Sequence, residues 1–326
     1  MSEPIVQARS LGKKYTSFRG KAVQALDDFS LSVQPGEVFG LLGPNGAGKT
    51  TFIKILLGIV GPTAGSAQLL GRPVGHPDSR VDVGYLPEQH RFPGHLTARE
   101  ALDLYSRLSG FDGATRKSES LRLLGRVGLS EWADTKVKKY SKGMMQRLGL
   151  AQALMTSPKL VILDEPTDGV DPIGRREIRE IVTWLSTTGT TVFLNSHLLS
   201  EVELVCTRAA ILHEGKLVRE GSIAELTAAP AEFEVEGTPA TSPLPDGVTQ
   251  ADPGQNTHPS GAASPPNTGD WIRYHIEASS PEELTPKLAA MIEAGVIIRE
   301  VKPGRRSLEQ AFVQIVEESD ARGDQS

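Results

Sequence analysis

The chain holds a single cysteine, Cys206, among 326 residues. No disulfide can form within it, which suits a reducing compartment. Long hydrophobic runs are missing too. None approaches the ~20 apolar residues that cross a bilayer, so any service to a membrane is expected from its aqueous side. Met1–Val6 carries neither a basic cluster nor an apolar core, and no secretory leader is expected. A basic excess is lacking: 35 Lys and Arg stand against 40 Asp and Glu, for a net charge of −5. That balance argues against a nucleic-acid partner, although it leaves room for a local basic patch. No internal repeat or heptad run is present. What remains is a soluble-type composition, 38% apolar and 23% charged, long enough for one large domain and a smaller one.

The richest stretch is Gly43-Pro44-Asn45-Gly46-Ala47-Gly48-Lys49-Thr50, which reads G-x-x-x-x-G-K-T. It follows an apolar strand, Val38 to Leu42, and opens a helical run from Thr51 to Leu57 that Gly58 can close. A phosphate-binding loop needs that setting between strand and helix. Its glycines let backbone N–H groups turn toward phosphate oxygens, and the helix dipole adds positive potential. Lys49 can reach the β- and γ-phosphates, and the Thr50 hydroxyl can ligate Mg²⁺.

Elsewhere, Phe29, Leu31 and Val33 alternate with Ser30, Ser32 and Gln34, a half-buried antiparallel pattern. Residues 97 to 155 read mainly as helices. Thr97 and Glu100 make a capping box, with Leu102, Leu104, Tyr105 and Leu108 as the expected buried face. A second helix carries Leu121, Leu123, Leu124 and Val127, and a third runs from Ser141 to Met155. Leu160 to Leu163 and Thr191 to Leu194 read as central parallel strands. Residues 1–230 form the expected main domain. Residues 231–326 form a small α+β appendage, interrupted at 237–270 by a Pro-, Gly-, Ser- and Thr-rich segment expected to be disordered.

Both central strands end in polar residues, Asp164-Glu165 and Asn195-Ser196-His197. In an open α/β sheet, ligands sit at the carboxyl ends of strands, so these groups are expected near the phosphate loop. Asp164 then falls near Mg²⁺. Glu165, one residue on, faces a water in line with the γ-phosphate as general base or water-positioner. His197 is open to a structural role or to contact with the γ-phosphate. Tyr140-Ser141-Lys142-Gly143-Met144 opens the third helix, with Ser141 as N-cap. It is either an ordinary capped helix or a second anion site, the latter most useful to a nucleotide held by another copy.

In this order, the phosphate loop, Tyr140-Ser141-Lys142-Gly143-Met144, Leu163-Asp164-Glu165-Pro166-Thr167, Asp171 and Ser196-His197 resemble the ATP-binding subunit of an ABC (ATP-binding cassette) transporter over roughly residues 4–227. The resemblance implies an α/β fold: a RecA-like P-loop NTPase core, an antiparallel β subdomain and a helical subdomain at about 88–157. It also implies ATP and Mg²⁺ as ligands, with Thr51 also touching the nucleotide. The partners implied are a second copy, joined head to tail as homo- or heterodimer around two ATPs, and separate membrane permease subunits on whose cytoplasmic side the chain sits. Ser141 and Gly143 would then serve the partner's ATP, Tyr15 would stack on adenine, and Asp171 would link the two sites.

Two departures stand out. Tyr140, Lys142 and Met144 replace the usual Leu, first Gly and Gln of the signature. Glu88 stands where a Mg²⁺-sensing glutamine is usual, and it either adds a ligand near the metal or faces the permease. Both departures, and the final segment ending Ser307-Leu308-Glu309-Gln310-Ala311-Phe312, resemble subunits paired with type-2 exporter permeases of the drug-efflux, sodium-efflux and gliding-motility kinds. The alternatives are a soluble ribosome- or DNA-associated ABC ATPase, or a regulatory cassette. The single cassette and the short interval between loop and signature disfavour the first; intact Lys49, Thr50, Asp164, Glu165 and His197 disfavour the second.

Overall fold

A computed structural model of the chain describes residues 3–16, 22–250, 271–278 and 280–323. In chain order the elements begin with β1 (Val6–Thr16), β2 (Ala22–Val33), β3 (Val38–Leu42), α1 (Lys49–Leu56), β4 (Ala64–Leu69), β5 (Arg72–Pro73) and β6 (Val83–Leu86). Then come α2 (Ala98–Leu108), α3 (Gly113–Arg126), α4 (Lys142–Ala153), β7 (Leu160–Asp164), α5 (Pro172–Thr187), β8 (Thr191–Asn195) and α6 (Leu199–Val205). The remainder is β9 (Arg208–His213), β10 (Lys216–Ser222), α7 (Ile223–Leu226), β11 (Ala228–Gly237), β12 (Val248–Gln250), β13 (Ile272–Glu277), α8 (Pro281–Glu293), β14 (Ile298–Arg305) and α9 (Leu308–Gly323).

The strands form three sheets. The largest runs β10-β9-β3-β8-β7-β6. Its inner pairings, β9 to β3, β3 to β8, β8 to β7 and β7 to β6, are all parallel. Strands β3, β7 and β8 are buried along their whole length, as strands covered on both faces must be. An antiparallel sheet, β2-β1-β4-β5, turns its apolar face inward through Phe29, Leu31 and Val33. Phe29 packs edge-on against Phe52 of α1 at 4.8 Å, and Phe52 meets Phe193 of β8 at 5.9 Å. Each buried ring contributes roughly 1.5–3 kcal/mol, and together they fix α1 between the two sheets. Gly40 of β3 admits α6: a Cβ there would stand 3.2 Å from the Cys206 sulfur, which the helix end buries.

The helical segment is α2, α3 and α4. Thr97 and Glu100 form the expected capping box on α2. The buried face of α2 differs from the expectation. Leu102 is fully buried, but Leu104 and Leu108 are 40% and 76% exposed, and Ala98, Ala101 and Ser106 pack inward instead. The helix is crossed closely by α3 and α4, so the contact selects small residues and leaves the long leucines outside. On α3, Leu123 and Leu124 are buried and Leu121 is exposed.

Two compact units emerge, Met1–Ile223 with Phe312–Ser326, and Ala224–Ala311. The second unit begins ahead of residue 231 because β11 already pairs with β14 at Ala228, opposite Arg305. Its antiparallel sheet, β12-β13-β11-β14, buries Val235, Tyr274 and Ile276 with Met291 of α8. The segment expected to be disordered from 237 is ordered in its first part. Val248 is buried and opens β12, which pairs with β13, and the Thr241 N–H donates to the Ala294 carbonyl at 2.9 Å. Val248, with Ala240 and Leu244 packed against the same core, holds this polar stretch against the sheet edge. Residues 251–270 of that segment lie outside the described residues.

Candidate functional site

The order β3-β8-β7 brings three carboxyl ends together. From β3 the chain enters the phosphate loop, from β7 it reaches Asp164 and Glu165, and from β8 it reaches Asn195 and His197. One cleft of about 340 Å³ is lined by Asn45, Gly46, Ala47, Gly48, Lys49, Thr50 and Thr51, and by Glu88, Glu165, Asp168, Asn195 and His197. That volume lies in the range of small-molecule sites. The loop conformation depends on Gly48: its φ is +112°, and a Cβ there would fall 2.2 Å from the Ala25 carbonyl oxygen.

Lys49 is nearly buried, and its Nζ donates to the Gly43 carbonyl at 2.6 Å and the Pro44 carbonyl at 3.1 Å. Burial pushes its ammonium below the usual lysine range, opposed by the Glu165 and Asp164 carboxylates. The lysine is therefore desolvated and facing acids, ready to gain from a polyanion. Glu165 adopts φ +51°, a left-handed conformation that costs about 1–3 kcal/mol in a non-glycine residue. The turn aims its carboxylate at His197: Oε2 lies 2.7 Å from Nδ1 and accepts the His197 N–H at 3.2 Å. The loop strain is thus spent on placing this pair.

Asp164 is 3% exposed and accepts a hydrogen bond from the Asn195 amide. Burial pushes its carboxyl above the ordinary range, and the Asn195 bond and Lys49 oppose that rise. Tyr85 on β6 stands beside it, and its phenol is pushed up to about 12, first by burial and then by Asp164 and Glu88. The Asn195 side-chain carbonyl is buried without a partner. Thr50, Asp164 and Glu88 supply hard oxygen donors. No group of three or more His, Cys, Asp or Glu suited to a metal occurs among the described residues. The hard oxygens of Thr50, Asp164 and Glu88 are of the kind Mg²⁺ takes, one or two from protein with phosphate and water completing its shell.

A group held more protonated by folding destabilises the fold as pH rises past its ordinary value, and the cost is absent below it. Asp164→Asn is therefore expected to raise the unfolding midpoint at pH 8 by about 2–4 °C, measured without nucleotide. The gain should vanish near pH ~3 and below, where the Asp164 carboxyl is largely neutral in both the folded and the unfolded chain. An equal gain at both values would rule out burial of the charge as its cause.

The remaining expected residues fall around this centre. Tyr15, at the outer end of β1, is 39% exposed; it pairs across the sheet with Val23, and it is Val23 and Ala25 that line the cleft. Ser141 caps α4 by accepting the Met144 N–H at 3.2 Å, and it does not line its own chain's cleft. Gly143 is buried on Val170, and a Cβ there would lie 3.7 Å from the Asp171 carboxylate. Asp171 opens α5 at its N-cap, with Pro172 next. Sequence reasoning missed Tyr85 and Asp168 and gave Asn195 no role. The position of Asn195 at the end of a strand beside β7 was the available signal.

Comparison with known proteins accords with this geometry. The family described as ABC transporter matches residues 26–168. The chain is 44% identical over 235 residues to the ABC transporter ATP-binding protein sll0415 of a Synechocystis strain, covering 71% of this chain and 66% of that one, just under two thirds of its length. It is 38% identical over 219 residues to the bacitracin transport ATP-binding protein BcrA of Bacillus licheniformis, covering 66% and 69%. Among solved structures it resembles the dimeric ATP-binding cassette MJ0796, in a post-hydrolysis state bound to ADP and Pi. That match has a TM-score of 0.61 and 25% identity, over 67% of this chain and 98% of that one. The chain therefore belongs to the ABC transporter family, as one of its ATP-binding, ATP-hydrolysing subunits.

Proposed function

We propose that this chain pairs head to tail with a second cassette and powers export through separate permease subunits at the cytoplasmic face of a membrane. The observation that carries this reading is the split of the machinery. Lys49, Glu165 and His197 share one cleft, while the Ser141 cap of α4 stands outside it. A second copy turned about a two-fold axis uses both halves. The name of one relative, the Nod factor export ATP-binding protein I, supports the direction of transport. No helix among the described residues is long and apolar enough to cross a membrane; in this reading separate permease subunits supply the passage.

In this reading the phosphate-loop amides and Lys49 bind the β- and γ-phosphates of ATP, and Tyr15 stacks on adenine. Thr50 and Asp164, with Glu88 beside them, hold Mg²⁺, which neutralises phosphate charge. Glu165 takes a proton from the attacking water, and His197 keeps the Glu165 carboxylate in place and stabilises charge on the γ-phosphate. Ser141 and Gly143 complete the partner's site, and Asp171 joins the two. The exposed Leu104 and Leu108 of α2 offer an apolar face for permease loops. The second compact unit serves as an accessory domain at the end of the cassette. Sedimentation with and without Mg-ATP, and affinity capture from detergent-solubilised membranes, test the proposal. An ATP-dependent dimer and a co-purifying protein of about six spanning helices are expected; a chain that stays monomeric at saturating ATP overturns the pairing.

A further inference from the structure

We propose that Lys142 is a positioning residue of the nucleotide cleft, where it neutralises Asp168 and holds the turn that follows Glu165. The inference deepens the ATPase reading above and rests on it. Lys142 stands where the usual signature has a glycine, so this chain places a cation there. Its Nζ lies 2.8 Å from Asp168 Oδ2. Its stem covers Gly169, whose φ is +61°; a Cβ there would come within 3.1 Å of both Lys142 Cδ and Cε. An exposed ion pair of this kind adds little to folding stability, and each member is roughly half exposed. Its value lies in what surrounds it.

Asp168 lines the cleft together with Glu88 and Glu165, and Asp164 lies within electrostatic reach of Glu88 and Lys49. Against these four carboxylates the cleft sets Lys49 and His197. A bare Asp168 would repel an incoming triphosphate. The hydrogen bond from Lys142 holds the Asp168 carboxyl below its usual range, with His197 and Arg175 adding attraction. The pair also acts mechanically. The Asp168 N–H donates to the Glu165 carbonyl at 3.2 Å, and Arg175 Nε donates to the Val170 carbonyl at 2.9 Å. Lys142 therefore anchors, from α4, the strained turn that aims Glu165 at His197.

The test compares the full chain with Lys142→Ala, Lys142→Gln, Lys142→Arg and Lys142→Ala/Asp168→Asn, using equilibrium binding of Mg-ATP and steady-state turnover. Unfolding midpoints check that each variant folds. Lys142→Ala and Lys142→Gln are expected to raise Kd and KM about 3- to 10-fold with a smaller change in kcat, as for loss of ground-state binding. Lys142→Arg should stay near the parental values. Adding Asp168→Asn to Lys142→Ala should restore Kd, since the repulsion goes with the charge. A double variant as weak as Lys142→Ala would overturn the electrostatic role and leave only packing over Gly169. Unchanged Kd and KM in both neutral variants would also overturn it. A parental chain that binds no ATP defeats the functional reading and this inference together; one that binds ATP indifferently to Lys142 defeats this inference alone.

Discussion

Glu165→Gln is expected to lower ATP turnover about 10²- to 10⁴-fold, the usual worth of a positioned general base, while leaving Mg-ATP binding within reach of the parental affinity. The amide keeps the shape of the side chain, and its oxygen can still accept the His197 N–H that Glu165 Oε2 accepts at 3.2 Å. It cannot take a proton from water. Binding depends on the loop amides and Lys49, which the substitution does not touch. The variant should therefore accumulate as an ATP-loaded dimer, visible as a doubled mass in sedimentation. Phosphate release at the parental rate would remove Glu165 from the chemistry and return attention to His197.

Lys49→Ala is expected to cost more at the binding step, with Mg-ATP affinity falling by about 10²-fold or more, since truncating one partner of a desolvated charge pair costs about 2–5 kcal/mol. Lys49 is the one buried cation facing Glu165 and Asp164 among the cleft residues. Without it no buried side-chain cation stands between those carboxylates and the triphosphate. The two substitutions thus separate: Glu165→Gln binds and does not turn over, while Lys49→Ala does neither. Titration with a fluorescent nucleotide checks the second directly. Parental affinity in Lys49→Ala would mean that the loop amides alone hold the phosphates.

The centre of the site was legible because it is local. A loop whose spacing is set by the size of a phosphate, and strands whose ends carry Asp164, Glu165 and His197, need no tertiary knowledge to read. The residues that escaped depend on neighbours far along the chain. Tyr85 reaches Asp164 because β6 pairs with β7, and Asn195 does so because β8 flanks the other side. Neither relation has a sequence spacing of its own. Val23 and Ala25 line the cleft, and Val23 is the cross-strand partner of Tyr15, a register that no spacing in the sequence announces. The face of α2 was misread because periodicity ranks residues by apolarity. Close helix crossings rank them by size, and Ala98, Ala101 and Ser106 won over Leu104 and Leu108. Likewise, composition marked 237–270 as one segment, while Ala240, Leu244 and Val248 pack part of it onto a core and Val248 opens a strand.

The sulfur that α6 tucks behind Gly40 has a practical sequel. It is the sole thiol of the chain, 8% exposed, and burial pushes it far above the ordinary cysteine range. Maleimide dyes and spin labels attack the thiolate, so the natural protein is a silent background for them. A cysteine introduced on the exposed leucines of α2, or beside Ser141, could carry a reporter with no prior engineering of the scaffold. Approach of two cassettes could then be timed by energy transfer in otherwise unaltered molecules.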